Sequence, residues 1–227
     1  MNTTILATNG SRKTRQLVIS AGDYSVAVKN YNSTWAKTDE VLYNLCRDNF
    51  DHSNRAAVYA KVYIIGRTYA TGIERSVPSR GTQGSSLSQV AELFYEMRNQ
   101  LDIIISGLRS IAEPLTPQSL KKIIELHAQL VDLITPITRD GRSPRSFASK
   151  YLHFHNSAVP IFDLLASQEL VKAVRWSLDL QIVQPSRADQ EYFKHTMRFL
   201  RLYNCIADQK LTPFSVRMVD AYLLRNA

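Results

Sequence analysis

The chain has 227 residues, of which 44% are hydrophobic and 21% are charged. That composition supplies a buried core for one large domain or two small ones, and it excludes disorder along the whole chain. No run of residues approaches the ~18–20 apolar residues of a membrane-spanning helix, and the polar start of the chain lacks the apolar centre of a signal peptide. We therefore expect a soluble, cytoplasmic protein that has no membrane partner.

The charge of the chain indicates a polyanionic partner. Lys and Arg number 28 against 20 Asp and Glu, which gives a net charge of +8. This surplus favours nucleic acid, although a solubilising surface would also account for it. The two cysteines, Cys46 and Cys205, are too few for a disulfide framework or a structural zinc site, and their apolar neighbours predict that both are buried. No metal and no cofactor is expected.

Apolar residues recur at intervals of three and four along almost the whole chain. Alternation typical of strands is confined to short pieces such as Gln181–Val183. The pattern predicts an all-α fold, a compact bundle of eight or nine helices in a single domain over residues 13–227, with a division into two helical lobes left open. Residues 1–12 are expected to form a loose N-terminal segment.

The first half of the chain predicts three helices. Ser33 can cap a helix that reaches Asn49. Its expected buried residues are Trp35, Val41, Leu42 and Leu45. Ser53 or Asn54 can cap a second helix that reaches about Ile73. A loop over residues 77–85 follows, and then a capping box of Ser86 and Gln89 opens a long helix to about residue 113.

Two glycines, Gly66 and Gly72, interrupt the helix that starts near residue 53. Glycine lowers helix propensity, so its presence here favours close packing against another helix or a ligand. Arg67 and Glu74 are seven residues apart and therefore share a helix face. A buried ion pair that links helices is the favoured interpretation of these two residues, and a binding site is the alternative.

Helix starts in the second half carry a repeated signal, a Ser or Thr followed by Pro. Thr116–Pro117 is expected to open a helix that buries one face, including His127 as a core histidine. The same signal occurs at Ser143–Pro144 and at Thr212–Pro213. A further helix is expected to start at Ser186 and to bury Tyr192, Phe199, Leu200, Tyr203 and Ile206.

The most informative segment lies between residues 138 and 166. It predicts a helix from Pro144 to about His155, an extended apolar stretch, and a second helix that begins near Asp163. Three arginines, Arg139, Arg142 and Arg145, cluster at the start of the first helix. Backbone N–H groups and the positive end of the helix dipole meet there, which predicts an anion site suited to phosphate, with a solvated basic turn as the alternative.

Two stretches of this segment, Gly141–Arg145 and Val159–Asp163, resemble the hairpin and following helix of the helix-hairpin-helix DNA glycosylase superfamily. The resemblance implies a glycosylase-like all-α fold and DNA as the partner, with RNA or a nucleotide as alternatives. Asp163 takes the position of the aspartate that stabilises the sugar cation as the base leaves and that helps to activate water. The implied nucleic-acid contacts are Arg139, Gly141, Arg142, Ser143, Arg145 and Lys150.

The resemblance also bears on the type of reaction. Family members that form a covalent intermediate use a lysine at the position that Arg145 occupies here. A guanidinium stays protonated and cannot form a Schiff base, so the sequence predicts hydrolysis alone. Lys150 lies five residues later and about 140° around the helix. It is the weaker alternative nucleophile.

His153 and His155 lie at the end of the same helix. Residues two apart point about 200° from one another, so these histidines are poor joint metal ligands. Either one can pair with Asp163 and assist proton transfer, which makes His155 a secondary catalytic candidate. A histidine that binds the last carbonyl groups of its helix is the alternative.

Three hypotheses about function follow. The chain is a glycosylase-type hydrolase that uses Asp163, a non-catalytic protein of the same fold that binds nucleic acid, or a non-enzymatic interaction protein whose basic surface is incidental. The sequence contains no phosphate-binding glycine loop, clustered nuclease carboxylates or zinc signature that would favour another enzyme class.

Overall fold

The structure, a computed structural model, describes residues 17–79, 85–174 and 182–225. This part of the chain contains no strand and eleven α-helices, which confirms the all-α class and exceeds the expected eight or nine helices. The helices are α1 (Ala21–Thr34), α2 (Ala36–Asp48), α3 (Arg55–Thr68), α4 (Ile73–Ser76), α5 (Ser86–Glu96), α6 (Arg98–Ser106), α7 (Pro117–Ile134), α8 (Arg145–His155), α9 (Leu164–Ala173), α10 (Gln190–Asp208) and α11 (Val216–Leu223). The expected loose segment 1–12 lies outside the described residues.

The first helices differ from the prediction. Helix α1 was not expected, and it is capped by Ser20, whose side chain accepts a hydrogen bond from the Asp23 N–H. Ser33 is therefore inside α1 and not the cap of α2, which begins after Trp35. Leu42 is buried as expected, but Trp35 and Val41 are exposed. An apolar residue on the outer face of a surface helix is common, so its hydrophobicity alone does not predict burial.

Two predicted long helices are divided. Helix α3 starts at the expected Asn54 cap and ends at Thr68, and Gly72, whose φ of +72° favours glycine, precedes the short α4. The long helix after the loop breaks at Met97 into α5 and α6. Its cap is Ser85, which accepts a hydrogen bond from the Ser88 N–H, so the expected capping box of Ser86 and Gln89 is wrong. The hydroxyl of Ser86 instead donates to the Val77 carbonyl at 2.7 Å.

The glycine prediction holds at Gly66, where an added Cβ would lie 2.5 Å from a methyl carbon of Leu87. This close approach lets α3 pack tightly on α5. Arg67 and Glu74 do form an ion pair, with 3.4 Å between nitrogen and oxygen. Both side chains are exposed, so the predicted buried pair is wrong and the contact contributes little stability.

Helix α7 begins at Pro117 as predicted, with a capping box of Thr116 and Ser119. The other expected starts are displaced. Helix α10 is capped by Asp189 instead of Ser186, and α11 is capped by Ser215, so Thr212–Pro213 does not open a helix. The expected buried residues of α10 are all buried.

Helix α8 lies at the centre of the fold. Every residue from Phe147 to Phe154 is buried, and the helix packs against α2, α3 and α7. Helix α11 packs against α1, α9 and α10. Cys46 is fully buried, whereas Cys205 is only partly buried against the core. None of the described helices is long and apolar enough to span a bilayer.

Candidate active site

A cavity of about 420 Å³ opens where α1, α3, α8, α9 and α11 meet. This volume lies in the range of ~300–1,000 Å³ that is typical of small-molecule sites. Its aromatic lining comes from Tyr31, Trp35 and Tyr69. Its charged lining consists of Lys150, Asp163, Arg217, Asp220 and Arg225. The cavity therefore combines flat apolar walls with buried charge.

Lys150 and Asp163, which the sequence predicted as separate candidates, form an ion pair in this cavity. Lys150 Nζ lies 3.1 Å from Asp163 Oδ2. The ammonium also donates to the Tyr69 carbonyl at 2.7 Å and to Ser146 Oγ at 3.3 Å. The lysine side chain is 4% exposed and the aspartate side chain 23%, so the carboxylate is the partner that solvent or a ligand can reach.

The extended stretch before α9 fixes the aspartate. The Phe162 N–H donates to Ser149 Oγ of α8 at 2.9 Å. From the other side, the Tyr192 hydroxyl donates to the Pro160 carbonyl at 2.9 Å. Asp163 then caps α9, since its Oδ1 accepts a hydrogen bond from the Leu165 N–H at 3.0 Å. The backbone before Asp163 is thus fixed by α8 and α10, and the carboxylate itself is fixed by the first turn of α9.

A second charged group lies on the α11 side of the cavity. Arg217 Nε donates to Asp39 Oδ2 at 2.6 Å, and its NH1 group donates to Asp220 Oδ2. Asp39 also accepts hydrogen bonds from the hydroxyl groups of Tyr31 and Tyr69. Asp39 and Asp220 are buried, and Arg217 is 8% exposed. This network connects the aromatic wall of the cavity to its charged wall.

Asp220 is the member of this network with an unused acceptor. Its side chain is 1% exposed, and among the described residues its Oδ1 has no hydrogen-bond partner. Burial raises the pKa of Asp220 to about 6, against the opposing effect of the Arg217 charge. A carboxyl group that titrates near neutral pH inside a cavity is a frequent feature of functional sites.

The segment just before α8, residues 138–144, is called the hairpin here after the resemblance. It differs from the predicted three-arginine anion site. Arg145 Nε donates to both oxygens of Asp189, at 2.9 and 3.0 Å, and Ser143 Oγ donates to Asp189 Oδ2 at 2.6 Å. These two residues therefore connect the start of α8 to the start of α10. Arg139 and Arg142 are exposed. The basic group at the hairpin is reduced to these two side chains.

The hairpin backbone remains open to a ligand. Gly141 has a φ of +63°, and an added Cβ would meet no atom within 4 Å. The hairpin also lies beside the cavity segment, since the guanidinium of Arg145 is 5.6 Å from the ring centroid of Phe162, the neighbour of Asp163.

His153 and His155 do not pair with Asp163. The ring nitrogens of His153 contact the Tyr43 hydroxyl and the Val159 carbonyl. Those of His155 contact the Tyr151 carbonyl at 2.8 Å and Lys61 Nζ at 3.2 Å. His155 thus satisfies the carbonyl-binding alternative and belongs to a different buried cluster from the cavity residues.

The sequence did not single out Asp39, Arg217 or Asp220. The spacing of Arg217 and Asp220, three residues apart on α11, was visible, but such pairs are usually found on solvated helix faces. Within the described residues, no three His, Cys, Asp or Glu side chains are grouped so that they could hold a metal ion.

Comparison with known proteins identifies no relative of this chain. No family model, no curated protein and no solved structure matches it.

Proposed function

We propose that this protein binds nucleic acid and hydrolyses an N-glycosidic bond, releasing a base, with Asp163 as the carboxylate at the reacting sugar. The observation that carries this proposal is the placement of Asp163, partly exposed in the wall of a 420 Å³ cavity and paired with a buried lysine. The resemblance of Gly141–Arg145 and Val159–Asp163 to the helix-hairpin-helix glycosylases supports the same role and a related fold.

The chemistry requires little beyond a fixed negative charge and a water. When the bond between the sugar C1′ and the base nitrogen breaks, the electron pair leaves with the base, which takes up a proton from solvent. The sugar then carries positive charge, which a preorganised carboxylate stabilises. Each Asp163 oxygen accepts one hydrogen bond in the structure and keeps a further lone pair for the sugar or the water. Water adds to C1′ and transfers a proton to the carboxylate.

In this proposal Lys150 holds the Asp163 carboxylate in position and is not a nucleophile. Its ammonium group has three N–H donors, and three acceptors surround it, namely the Tyr69 carbonyl, Ser146 Oγ and Asp163. An attacking amine would have to lose a proton and leave these partners. We therefore expect hydrolysis without a covalent adduct, so borohydride added during the reaction should trap no protein–DNA complex.

Nucleic-acid binding is assigned to the hairpin in front of α8. Arg139 and Arg142 are exposed, and the open backbone at Gly141 leaves room for a phosphate. Arg145 and Ser143 support this surface indirectly through Asp189. The interaction-protein hypothesis remains the competing function, since Arg145 is already neutralised.

The test measures base release from single- and double-stranded DNA and RNA that carry normal, deaminated, oxidised and alkylated bases, with released bases identified by mass spectrometry. Wild type is compared with Asp163→Asn, and Asp132→Asn on the exposed face of α7 is the matched control. Release by wild type and by Asp132→Asn, but not by Asp163→Asn, supports the proposal. Equal release by all three proteins would show that Asp163 has no role in the reaction. Absence of both binding and release would favour the interaction protein.

A further inference from the structure

The Oδ1 oxygen of Asp220 lies on a cavity residue that base hydrolysis by Asp163 does not use. Oδ2 of this carboxyl group is bonded to Arg217, whereas Oδ1 is buried and has no hydrogen-bond partner among the described residues. A buried polar atom without a partner costs free energy, and native structures contain few of them. Asp220 also lines the cavity, so a ligand that enters it and displaces the side chains covering Oδ1 is a candidate partner for this atom.

The neighbouring groups determine what this partner must be. The charges around Asp220 are the buried cations of Lys150 and Arg217, the buried carboxylate of Asp39 and the partly exposed carboxylate of Asp163. Lys150 and Arg217 already donate to protein acceptors. A fifth group, Arg225, lines the cavity but lies over the Tyr222 ring and donates to the Tyr222 carbonyl. An ionised Asp220 can only accept, so the missing partner is a hydrogen-bond donor.

The aromatic lining of the cavity indicates the shape of the ligand. Tyr31, Trp35 and Tyr69 line the cavity, and the rings of Trp35 and Tyr69 lie 5.6 Å apart with 40° between their planes. Trp35 is 42% exposed, so part of its ring is accessible to a ligand. Aromatic side chains of this kind stack on flat heterocycles. The cavity thus offers stacking surface together with one buried acceptor.

We infer that Asp220 is a specificity-determining residue, whose Oδ1 accepts a hydrogen bond from an N–H group of a nucleobase that stacks on the aromatic wall. The ligand class is therefore a base with an N–H donor on the edge that enters the cavity. This inference rests on the proposed function for the kind of ligand, but it concerns binding and does not require that the bond be cleaved.

The test measures equilibrium binding of nucleosides to the full chain by ligand-observed NMR. Guanosine, uridine and adenosine are each compared with an isomer pair that carries the added methyl groups either on nitrogen or on carbon. The nitrogen-methylated probes are 1-methylguanosine, 3-methyluridine and N6,N6-dimethyladenosine, and the carbon-methylated controls are 8-methylguanosine, 5-methyluridine and 2,8-dimethyladenosine. We expect at least one parent nucleoside to bind, and its nitrogen-methylated form to bind about 10- to 100-fold more weakly than its carbon-methylated form, because a hydrogen bond to a charged group is lost.

Asp220→Asn tests the residue itself. The amide oxygen can stay with Arg217, which places an NH₂ group where Oδ1 was, so the variant should lose the preference for the parent over its nitrogen-methylated form. A preference that is unchanged in this variant would show that the methyl group acts only by its bulk, and would overturn the inference. If the variant does not fold, the comparison of nitrogen- and carbon-methylated nucleosides on wild type decides the question.

The two proposals fail in different ways. Nucleoside binding that depends on Asp220, without base release from any polymer, would support the inference and refute the hydrolase. Base release that depends on Asp163, but does not depend on Asp220 or on the N–H group of the base, would support the hydrolase and refute the inference about Asp220. If no nucleoside binds at millimolar concentration, the inference is overturned.

Discussion

Acidification should unfold this protein, because its histidines are buried in the neutral form. Burial lowers the pKa of His52, His127, His153 and His195 to about 4, and it lowers that of His155 as well. In the unfolded chain, histidine has a pKa near 6.5. The unfolded state therefore binds more protons below that pH. The stability that these residues contribute is complete above about pH 6.5 and is lost as the pH falls toward 4.

The size of the effect follows from these pKa values. Each of the four histidines with a pKa of about 4 lowers the free energy of unfolding at pH 5 by ~2 kcal/mol relative to pH 7.5. Together they lower it by ~8 kcal/mol. Asp220 acts in the opposite direction, because its pKa of about 6 lies above the unfolded value. Protonation of Asp220 in the folded state raises the free energy of unfolding by ~1 kcal/mol at pH 5. The remaining loss is comparable with the whole stability of a typical domain, ~5–15 kcal/mol.

His127 offers a single-site version of this test. Its ring stacks on Tyr192 with centroids 3.7 Å apart, Nε2 donates to the Arg145 carbonyl, and Nδ1 has no hydrogen-bond partner among the described residues. Protonation would bury an unpaired donor. His127→Phe keeps an aromatic ring there, loses one hydrogen bond at neutral pH, and removes the acid penalty of ~2 kcal/mol at pH 5.

The assay is urea unfolding at intervals of half a pH unit between pH 4.5 and 8. Near pH 5 the slope of the unfolding free energy against pH should correspond to about three to four protons taken up by wild type, and to about one fewer in His127→Phe. A wild-type stability that is flat between pH 7 and 5, or a slope that the substitution leaves unchanged, would refute the reasoning.

Three further predictions follow. Arg139→Ala with Arg142→Ala should reduce the log–log salt slope of nucleic-acid binding by up to ~2, and equal slopes for the double variant and wild type would exclude Arg139 and Arg142 as phosphate contacts. Arg145→Ala should leave the slope unchanged and lower stability by ~1–3 kcal/mol, because the buried Asp189 carboxylate loses its charged, partly exposed partner. Gly66→Ala should destabilise the protein by ~1–3 kcal/mol in thermal unfolding, because its Cβ would lie 2.5 Å from Leu87, and a stabilised variant would contradict this packing. Gly22→Ala is the control, since its Cβ would lie 3.7 Å from its nearest neighbour, and it should stabilise α1 by up to ~1 kcal/mol. Lys150→Met should raise the Michaelis constant little and lower the rate constant of base release about 100-fold, since the ammonium group no longer holds the Asp163 carboxylate in position. A covalent adduct trapped by borohydride from wild type, and absent in this variant, would instead show that Lys150 is a nucleophile.

Local signals predicted much of the helical framework. Thr116–Pro117 followed by a regular apolar stripe gave the start of α7, and the extended stretch before Asp163 gave the start of α9, because caps and periodicity depend on residues close in sequence. Helix α1 was missed because its apolar residues form no clear stripe. The break at Met97 was missed because apolar residues continue through it.

The cavity could be predicted only in part. Lys150 and Asp163 were both candidates, but their pairing depends on how α8 and α9 pack. Arg217 and Asp39 are 178 residues apart in sequence, and Arg145 is 44 residues from Asp189. Contacts of this kind come from tertiary packing and leave no local pattern. The same packing neutralised Arg145, which the sequence had placed in a phosphate site.

The most direct test of the central claim is the single-turnover rate constant of base release by Asp163→Asn, measured on whichever substrate wild type processes. Asparagine keeps the shape and can still cap α9, so the fold and the affinity for nucleic acid should stay close to wild type. The account predicts a rate constant about 100- to 1,000-fold lower, because the charge that stabilises the sugar cation is removed. A rate constant within a few-fold of wild type would contradict it.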